Sequence, residues 1–423
     1  MPPTKVLIIG GGLSGLALGQ CLRAANIDFE VFERDRDEKS RPQGWALTLR
    51  ESLAGIYELF PKDMPPLEES TSLFKDLSAS DHDLAGLLSK KDKVSFGGVL
   101  YNTGELLAEI NASERNDIEH HWFRVDRTAF RQWLSHGLQI TWAKEFVKYE
   151  ETDCGVRAFF ADGSSTRGTL LIAADGAHSR CRNQLMGPGN VVLEHAAGGT
   201  IRGDFNVTRE EYRELLQKGA AVLTATSPEY HFFMGPRFFS NKDRTGTYYW
   251  AVTWDNRDDP RIKAWTPDTH GDEARQMALE LCYDLHPSLR RFIEQTSGDE
   301  LLDSKVQLLQ WAPDVDRLPG RRVTLMGDSL HTMTPFKGAG ANTALLDAFD
   351  LAQLIVHAGE KGVDVSKVIP VYEATAVPRG RETKEFSKSA SLQPDPTHWS
   401  RTMEKVFAAG YKWEKLDLEK VAI

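Results

Sequence analysis

Three separated stretches hold the residues whose spacing could do chemistry. The first, Gly10 to Gly15, reads Gly-Gly-Gly-Leu-Ser-Gly and follows the apolar run Lys5 to Ile9, which predicts a short buried strand. Leu13 to Arg23 then carries the apolar spacing of a helix, so the glycines fall in the turn between strand and helix. There Gly10 permits the tight turn, Gly12 lets backbone amides approach a pyrophosphate, and Gly15 lets helix and strand pack closely. Leu13 and Ser14 open the helix, whose N-terminus supplies partial positive charge. A second strand-like run, Phe29 to Glu33, ends in an acid followed by Arg34. A carboxylate at Glu33 can accept from both hydroxyls of an adenosine ribose and would repel a ribose phosphate, which favours FAD or NAD over NADP in this pocket.

The second stretch, Ala173 to Arg182, reads Ala-Ala-Asp-Gly-Ala-His-Ser-Arg-Cys-Arg and follows the apolar run Leu170 to Ala174. By itself Asp175-Gly176 at a strand end is a turn signal. The third runs from Gly327 to Asn342, Gly-Asp-Ser-Leu-His-Thr-Met-Thr-Pro-Phe-Lys-Gly-Ala-Gly-Ala-Asn, after a strand predicted at Arg322 to Gly327. Its glycine-containing loop, Pro335 to Gly340, feeds a helix expected over Ala341 to His357. His331, alone beside a turn, reads as a packing residue rather than a catalyst.

In order and spacing these stretches resemble the flavin monooxygenases of the aromatic-hydroxylase type, in which all three wrap one FAD. The overall pattern is similar to the p-hydroxybenzoate, salicylate-hydroxylase and tetracycline-modifying branches, over most of the chain up to Ile355. The resemblance implies non-covalent FAD, since no Cys or His stands in a context for a covalent link. With no second GxGxxG after a strand, NAD(P)H would be a transient co-substrate. It places Asp175 and Gly176 near the flavin pyrophosphate and the nicotinamide path. Asp328 would hold a ribityl hydroxyl. Gly338, Gly340, Ala341 and Asn342 at the helix start would stabilise negative charge developing on the reduced ring. Arg41 to Leu49 is similar to the segment under the ring, with Arg41 near the cofactor, the Gly44 to Ala46 backbone against it, and a bulky Trp45 between. Arg127 matches an arginine that reaches FAD from a helix start. Pro335 and Phe336 match the loop beside which oxygen reacts. Two departures stand out: Gly338-Ala339-Gly340 replaces the usual Gly-Gln-Gly, and Gly235-Pro236 stands where some fungal hydroxylases carry Tyr-Pro.

The elements that must position these residues read as α/β: a Rossmann-type FAD-binding domain interlaced with an antiparallel-sheet substrate domain, followed by a C-terminal helix. The FAD-binding parts are expected at 1–75, 112–188 and 310–358, the substrate parts at 76–111 and 189–309, and the helical segment at 359–423. Strand-like runs at Gly199 to Phe205, Ala220 to Thr226, Tyr230 to Gly235 and Thr247 to Trp254 alternate aromatic and polar residues, predicting a sheet with one buried face. Within it Arg202, a charge in an otherwise apolar strand, needs an anionic partner. That partner is a substrate phenolate or developing oxyanion, or alternatively Asp204 or Glu194. Tyr249 is a second candidate, with a hydroxyl to donate. An amphipathic run from Trp399 to Lys415 is expected to pack through Met403, Val406, Phe407 and Trp413.

Bulk properties narrow the classes. The 423 residues carry a net charge of −10, which argues against a nucleic-acid partner. Four scattered cysteines, Cys21, Cys154, Cys181 and Cys282, form no CxxC pair and suggest no metal site and no disulfide framework. With a strand beginning at Lys5 there is no room for a signal peptide, and no apolar run approaches the roughly 20 residues of a membrane span. A soluble cytoplasmic enzyme is the expectation, with peripheral membrane association left open. The expected activity is a single-component FAD monooxygenase that uses NAD(P)H and molecular oxygen to hydroxylate or epoxidise an aromatic or polycyclic small molecule, a natural-product intermediate for instance. The alternatives are a flavin oxidase, dehydrogenase or reductase on the same scaffold, and a non-enzymatic FAD-dependent binding protein.

Overall fold

Consecutive aliphatic residues from Val6 to Ile9 make Lys5–Ile9 a strand that must be covered on both faces, and it lies at the centre of a five-stranded parallel sheet. The order across that sheet is Val323–Leu325, Leu170–Ala173, Lys5–Ile9, Asp28–Phe32 and Ile140–Thr141. The three chemical stretches therefore leave the C-terminal ends of three adjacent strands, the edge at which open α/β sheets bind ligands. The computed structural model describes residues 4–40, 46–71, 73, 95–111, 123–195, 199–217, 222–240, 245–254, 269–301, 308–335, 337–388 and 415–419.

Helices Leu13–Ala24 and Ala339–Lys361 pack against each other in the core that covers this sheet. The core also takes in a three-stranded antiparallel sheet, Phe146–Thr152, Gly155–Phe160 and Ser165–Gly168, whose Phe160 ring lies 4.7 Å from that of Phe32. The long helix begins two residues earlier than its apolar pattern predicts and runs four further. Gly338 (φ +59) and Gly362 (φ +64) adopt the left-handed conformation that starts and stops it. A helix Val368–Lys388 follows and includes Pro378. The run expected from Trp399 lies outside the described residues apart from Lys415.

A second core forms on a six-stranded sheet. Its order is Gly199–Thr208, Thr245–Trp254, Tyr230–Ser240, Val222–Thr226, Ser95–Val99 and Leu106–Asn111, and only the Ser95–Val99/Val222–Thr226 pair is parallel. Period-2 alternation sends Ile201, Phe205, Tyr248, Trp250, Val252, Trp254, Tyr230 and Phe232 to one face, under helices Gly271–Leu281 and Pro287–Gln295. Arg202, Asp204, Tyr249 and Phe233 must then share the other face. Register makes them neighbours: Asp204 stands opposite Tyr249 and Arg202 opposite Ala251. Among the described residues no helix is long and apolar enough to cross a membrane.

The close approach at the first turn is testable. A Cβ on Gly15 would lie 2.1 Å from the Gly10 carbonyl oxygen and 3.2 Å from Ile8 Cγ2. Gly15→Ala should destabilise the fold by about 1–3 kcal/mol through overpacking. Thermal unfolding checks it, and an unchanged Tm would contradict the packing described.

Candidate functional site

The turn after the first strand is held open by backbone geometry and closed from behind by charge. Gly10 has φ +115, a conformation L side chains avoid, and a Cβ there would strike the Ala174 carbonyl oxygen at 2.2 Å. Gly11 N donates to Glu33 Oε2 at 2.7 Å, and Asp35 N donates to Oε1 at 3.0 Å. Each carboxylate oxygen of the buried Glu33 thus accepts one backbone amide. Arg131, which the sequence did not single out, donates from Nε to the Gly11 carbonyl at 2.9 Å and lies 3.8 Å from Glu33. Its only sequence signal is position, one helical turn beyond Arg127 in Arg127–Ser135 and hence on the same side of that helix. Arg127 sits in the first turn, after Asp126, whose side chain accepts from Ala129 N at 2.7 Å. Gly12 caps the first helix without any side-chain hydrogen bond, and a Cβ on it would meet nothing within 4 Å. The positive end of that helix therefore opens on free space, beside a buried Ser14 and a half-buried Leu13, whereas Arg34 is exposed on the surface.

The second stretch makes an internally braced turn. Asp175 accepts from Ser179 Oγ at 2.5 Å and from Cys181 N at 3.1 Å. Burial pushes its carboxyl above the ordinary range against the pull of these donors. What this turn offers outward is backbone at Gly176, with φ +80 and open space within 4 Å of where a Cβ would stand. The fully buried Arg182 donates to Ala177 O at 2.5 Å and to Ser329 O at 3.3 Å, and lies over the Trp311 ring at 4.8 Å. It ties the second stretch to the third, and burial pushes its guanidinium down to about 10.

In the third stretch Gly327 (φ +58) comes against Ser14, where a Cβ would lie 2.7 Å from Ser14 Oγ. Asp328 is exposed beside it. His331 is wholly buried and pairs through Nε2 with Asp347 Oδ2 at 2.6 Å, in keeping with the packing role expected of it. Burial opposes the imidazolium, but Asp347 more than offsets this and holds His331 above its ordinary range. Gly338, the cap of the long helix, makes no side-chain cap bond, and a Cβ on it would meet nothing within 4 Å. Asn342 commits its amide to the protein. Oδ1 accepts from Arg50 N (3.0 Å) and Ser52 Oγ (2.8 Å), and Nδ2 donates to Thr48 O (2.9 Å). It thus holds strand Leu47–Leu49 to the helix start, and what Ala341 and Asn342 can offer a ligand is backbone. Pro335 is exposed. Lys337, which no sequence pattern singled out, is buried with Nζ 3.4 Å from the centroid of Phe386, and burial pushes it down to about 8. Ala46 is buried, while Arg41, Gly44 and Phe336 lie outside the described residues.

These features fit FAD. Two helix N-termini lack side-chain caps, three glycines leave room where a side chain would intrude, and an exposed acid stands between them.

Across from this edge is the polar face of the six-stranded sheet. Tyr249 is buried, and its hydroxyl accepts from Arg124 Nη2 at 2.9 Å, while Arg124 Nη1 reaches Thr48 Oγ1 at 3.2 Å. Burial raises the Tyr249 phenol above its ordinary range in spite of Arg124, so it stays protonated. Asp204 forms its ion pair with Arg237, and Arg202 contributes to its electrostatics; Glu194 accepts from Gln310. Arg124 carried no sequence signal, because a lone arginine in a three-residue strand looks like surface.

The FAD binding domain family matches residues 124–387, more than half of the chain. The FAD-dependent monooxygenase thnD of Trichoderma harzianum is 28% identical over 395 residues, covering 90% of this chain and 92% of that protein. The FAD-dependent monooxygenase phnB of Penicillium herquei is 24% identical, covering 97% and 95%. Among solved structures, Klebsiella pneumoniae HpxO complexed with FAD and uric acid superposes with a TM-score of 0.70 at 20% identity, covering 96% of this chain and 93% of that one. A salicylate hydroxylase substrate complex gives 0.67 at 20%, covering 97% and 96%.

Asp328→Ala should weaken FAD retention by roughly 1.5–3 kcal/mol, the worth of one hydrogen bond to a charged acceptor. Fluorescence titration of the apoprotein with FAD measures it, and an undiminished affinity would remove Asp328 from the cofactor site.

Proposed function

The chain belongs to the FAD binding domain family and is an enzyme of the FAD-dependent monooxygenase type, and from that premise we propose that it uses NAD(P)H and molecular oxygen to hydroxylate or epoxidise an aromatic or polycyclic small molecule. The observation that carries the substrate side is the Arg124–Tyr249 hydrogen bond. It joins the polar face of the six-stranded sheet to the Leu47–Leu49 strand, which Asn342 holds against the start of the long helix. A molecule between sheet and helix start would meet Arg202, Tyr249 and Phe233 on one side and the cofactor on the other. Relatives named as fungal monooxygenases, and a structural neighbour named for salicylate, support an aromatic substrate of natural-product type.

Bound FAD supplies hydride acceptance from the nicotinamide and activation of oxygen. The protein's share is binding, charge and dryness. The Gly12 and Gly338 helix starts direct backbone N–H groups toward negative charge on pyrophosphate and ring respectively. Asp328 holds a hydroxyl of the ribityl chain. Arg202 steadies anionic charge on the substrate oxygen, and the neutral Tyr249 hydroxyl keeps its proton in position to donate. The apolar ring of Phe233, 5.4 Å from that of Tyr249, helps to exclude water. NAD(P)H visits transiently near Arg41 and the Asp175–Gly176 turn, because the single dinucleotide fold is taken by FAD.

A reaction run under labelled oxygen should place one labelled atom in the product, as read by mass spectrometry; product without label would leave an oxidase or dehydrogenase. With any substrate so identified, Arg202→Ala should keep FAD content and Tm while product formation falls steeply and NAD(P)H oxidation continues as hydrogen peroxide release. Measuring product and peroxide together decides this, and unchanged coupled turnover would assign Arg202 to a structural ion pair.

A further inference from the structure

The other buried arginines face acids or backbone carbonyl oxygens, and among the described residues Arg124 faces neither. Arg322 has Asp364 at 2.7 Å, Arg131 has the Gly11 carbonyl at 2.9 Å and Glu33 at 3.8 Å, and Arg182 has the carbonyls of Ala177 and Ser329 at 2.5 and 3.3 Å. Arg124 is only 8% exposed, yet no acid lies within ion-pair distance of it among the described residues. Its partners are two neutral hydroxyls, Tyr249 at 2.9 Å and Thr48 at 3.2 Å, and its buried Nε has no partner among the described residues. A guanidinium removed from water with neither a counter-charge nor carbonyl oxygens around it is strongly unfavourable, and a ligand that brings an anion would offset that cost. The surroundings keep room for that use: a Cβ on Gly235, opposite Tyr249 in the sheet register, would lie 3.3 Å from Arg124 Nη2.

The Tyr249 oxygen accepts from Arg124, which turns its own proton away from the guanidinium. Arg202 stands on the same face, and its charge is felt at Tyr249. From this juxtaposition we propose that Arg124, seconded by Tyr249, is the substrate-anchoring site for an ionised oxygen, a phenolate or carboxylate on an aromatic ring, and that it selects anionic over neutral substrates. This rests on the reading of the polar sheet face as the substrate side. It concerns binding alone, so it can be tested without oxygen or NAD(P)H, and failure of oxygen insertion would not touch it.

The test uses purified FAD-loaded protein at constant ionic strength and neutral pH, titrated with salicylate and with its neutral counterpart salicylamide, reading the perturbation of the flavin absorbance. Wild type should bind salicylate at least about tenfold more tightly than salicylamide, as expected for a charge-assisted hydrogen bond in a dry site. Arg124→Gln should bring the two affinities together with FAD content and Tm retained, Arg124→Lys should keep part of the preference, and Tyr249→Phe should weaken salicylate while leaving the preference. If Arg124→Gln does not fold, the lysine and Tyr249→Phe variants decide between the same outcomes. Equal binding of the two probes by wild type, an undiminished preference in the arginine variants, or loss of FAD from them with the preference intact would each overturn the assignment.

Discussion

A carboxylate with no access to water must be surrounded by donors, and the third stretch is fastened to the two helices beside it through one such group, Asp347. It is fully buried in the long helix, and its oxygens take the Gly327 amide at 2.9 Å, His331 at 2.6 Å and Arg379 at 2.8 Å. Burial would raise its carboxyl, but His331 and Arg379 hold it below the ordinary range instead. One anion thereby fastens three pieces: the turn that presents Asp328, the helix that begins at Gly338, and the following helix that supplies Arg379. Gly380 lets that last helix approach, since a Cβ there would lie 2.7 Å from the His331 side chain.

Around this anchor the protein leaves some polar groups unsatisfied by its own side chains, and their placement is consistent. The first and the long helix both start on glycines without side-chain caps. Acids that could have capped them serve elsewhere: Glu33 takes the Gly11 and Asp35 amides, and Asp175 braces its own turn. Orphan N–H groups at a helix start are tolerable when an anion is their normal partner, and FAD carries such anionic groups.

The substrate side is organised by a different constraint. Strand alternation commits one face of the six-stranded sheet to an aromatic core, which leaves Arg202, Asp204 and Tyr249 together on the other. Gly235 stands in the register position opposite Tyr249, where a bulky side chain would contend with Arg124. The departure from Tyr-Pro in the sequence thus has a steric consequence, for the volume of the missing ring lies beside a guanidinium and a tyrosine brought from another strand.

Patterns carried by consecutive residues were legible without a structure. The strand-turn-helix at Lys5 to Ala24, the second strand with an acid at its end, which closes at Phe32 and leaves Glu33 just beyond it, the α/β class and the one-sided antiparallel sheet follow from periodicity and glycine placement, which act over a few residues. Resemblance then turned three weak local signals into one cofactor. What stayed hidden were contacts between residues distant in the chain: Arg131 on Gly11, Arg182 on Ser329, Asn342 on Thr48, and Arg124 on Tyr249, 125 positions apart. No local pattern distinguishes such an arginine from a solvated one, because burial and partner are decided only when the sheets come together. The sequence by itself determined where backbone can approach a dinucleotide; the tertiary structure alone decided which side chains close behind it and which guanidinium is buried with hydroxyls instead of an acid.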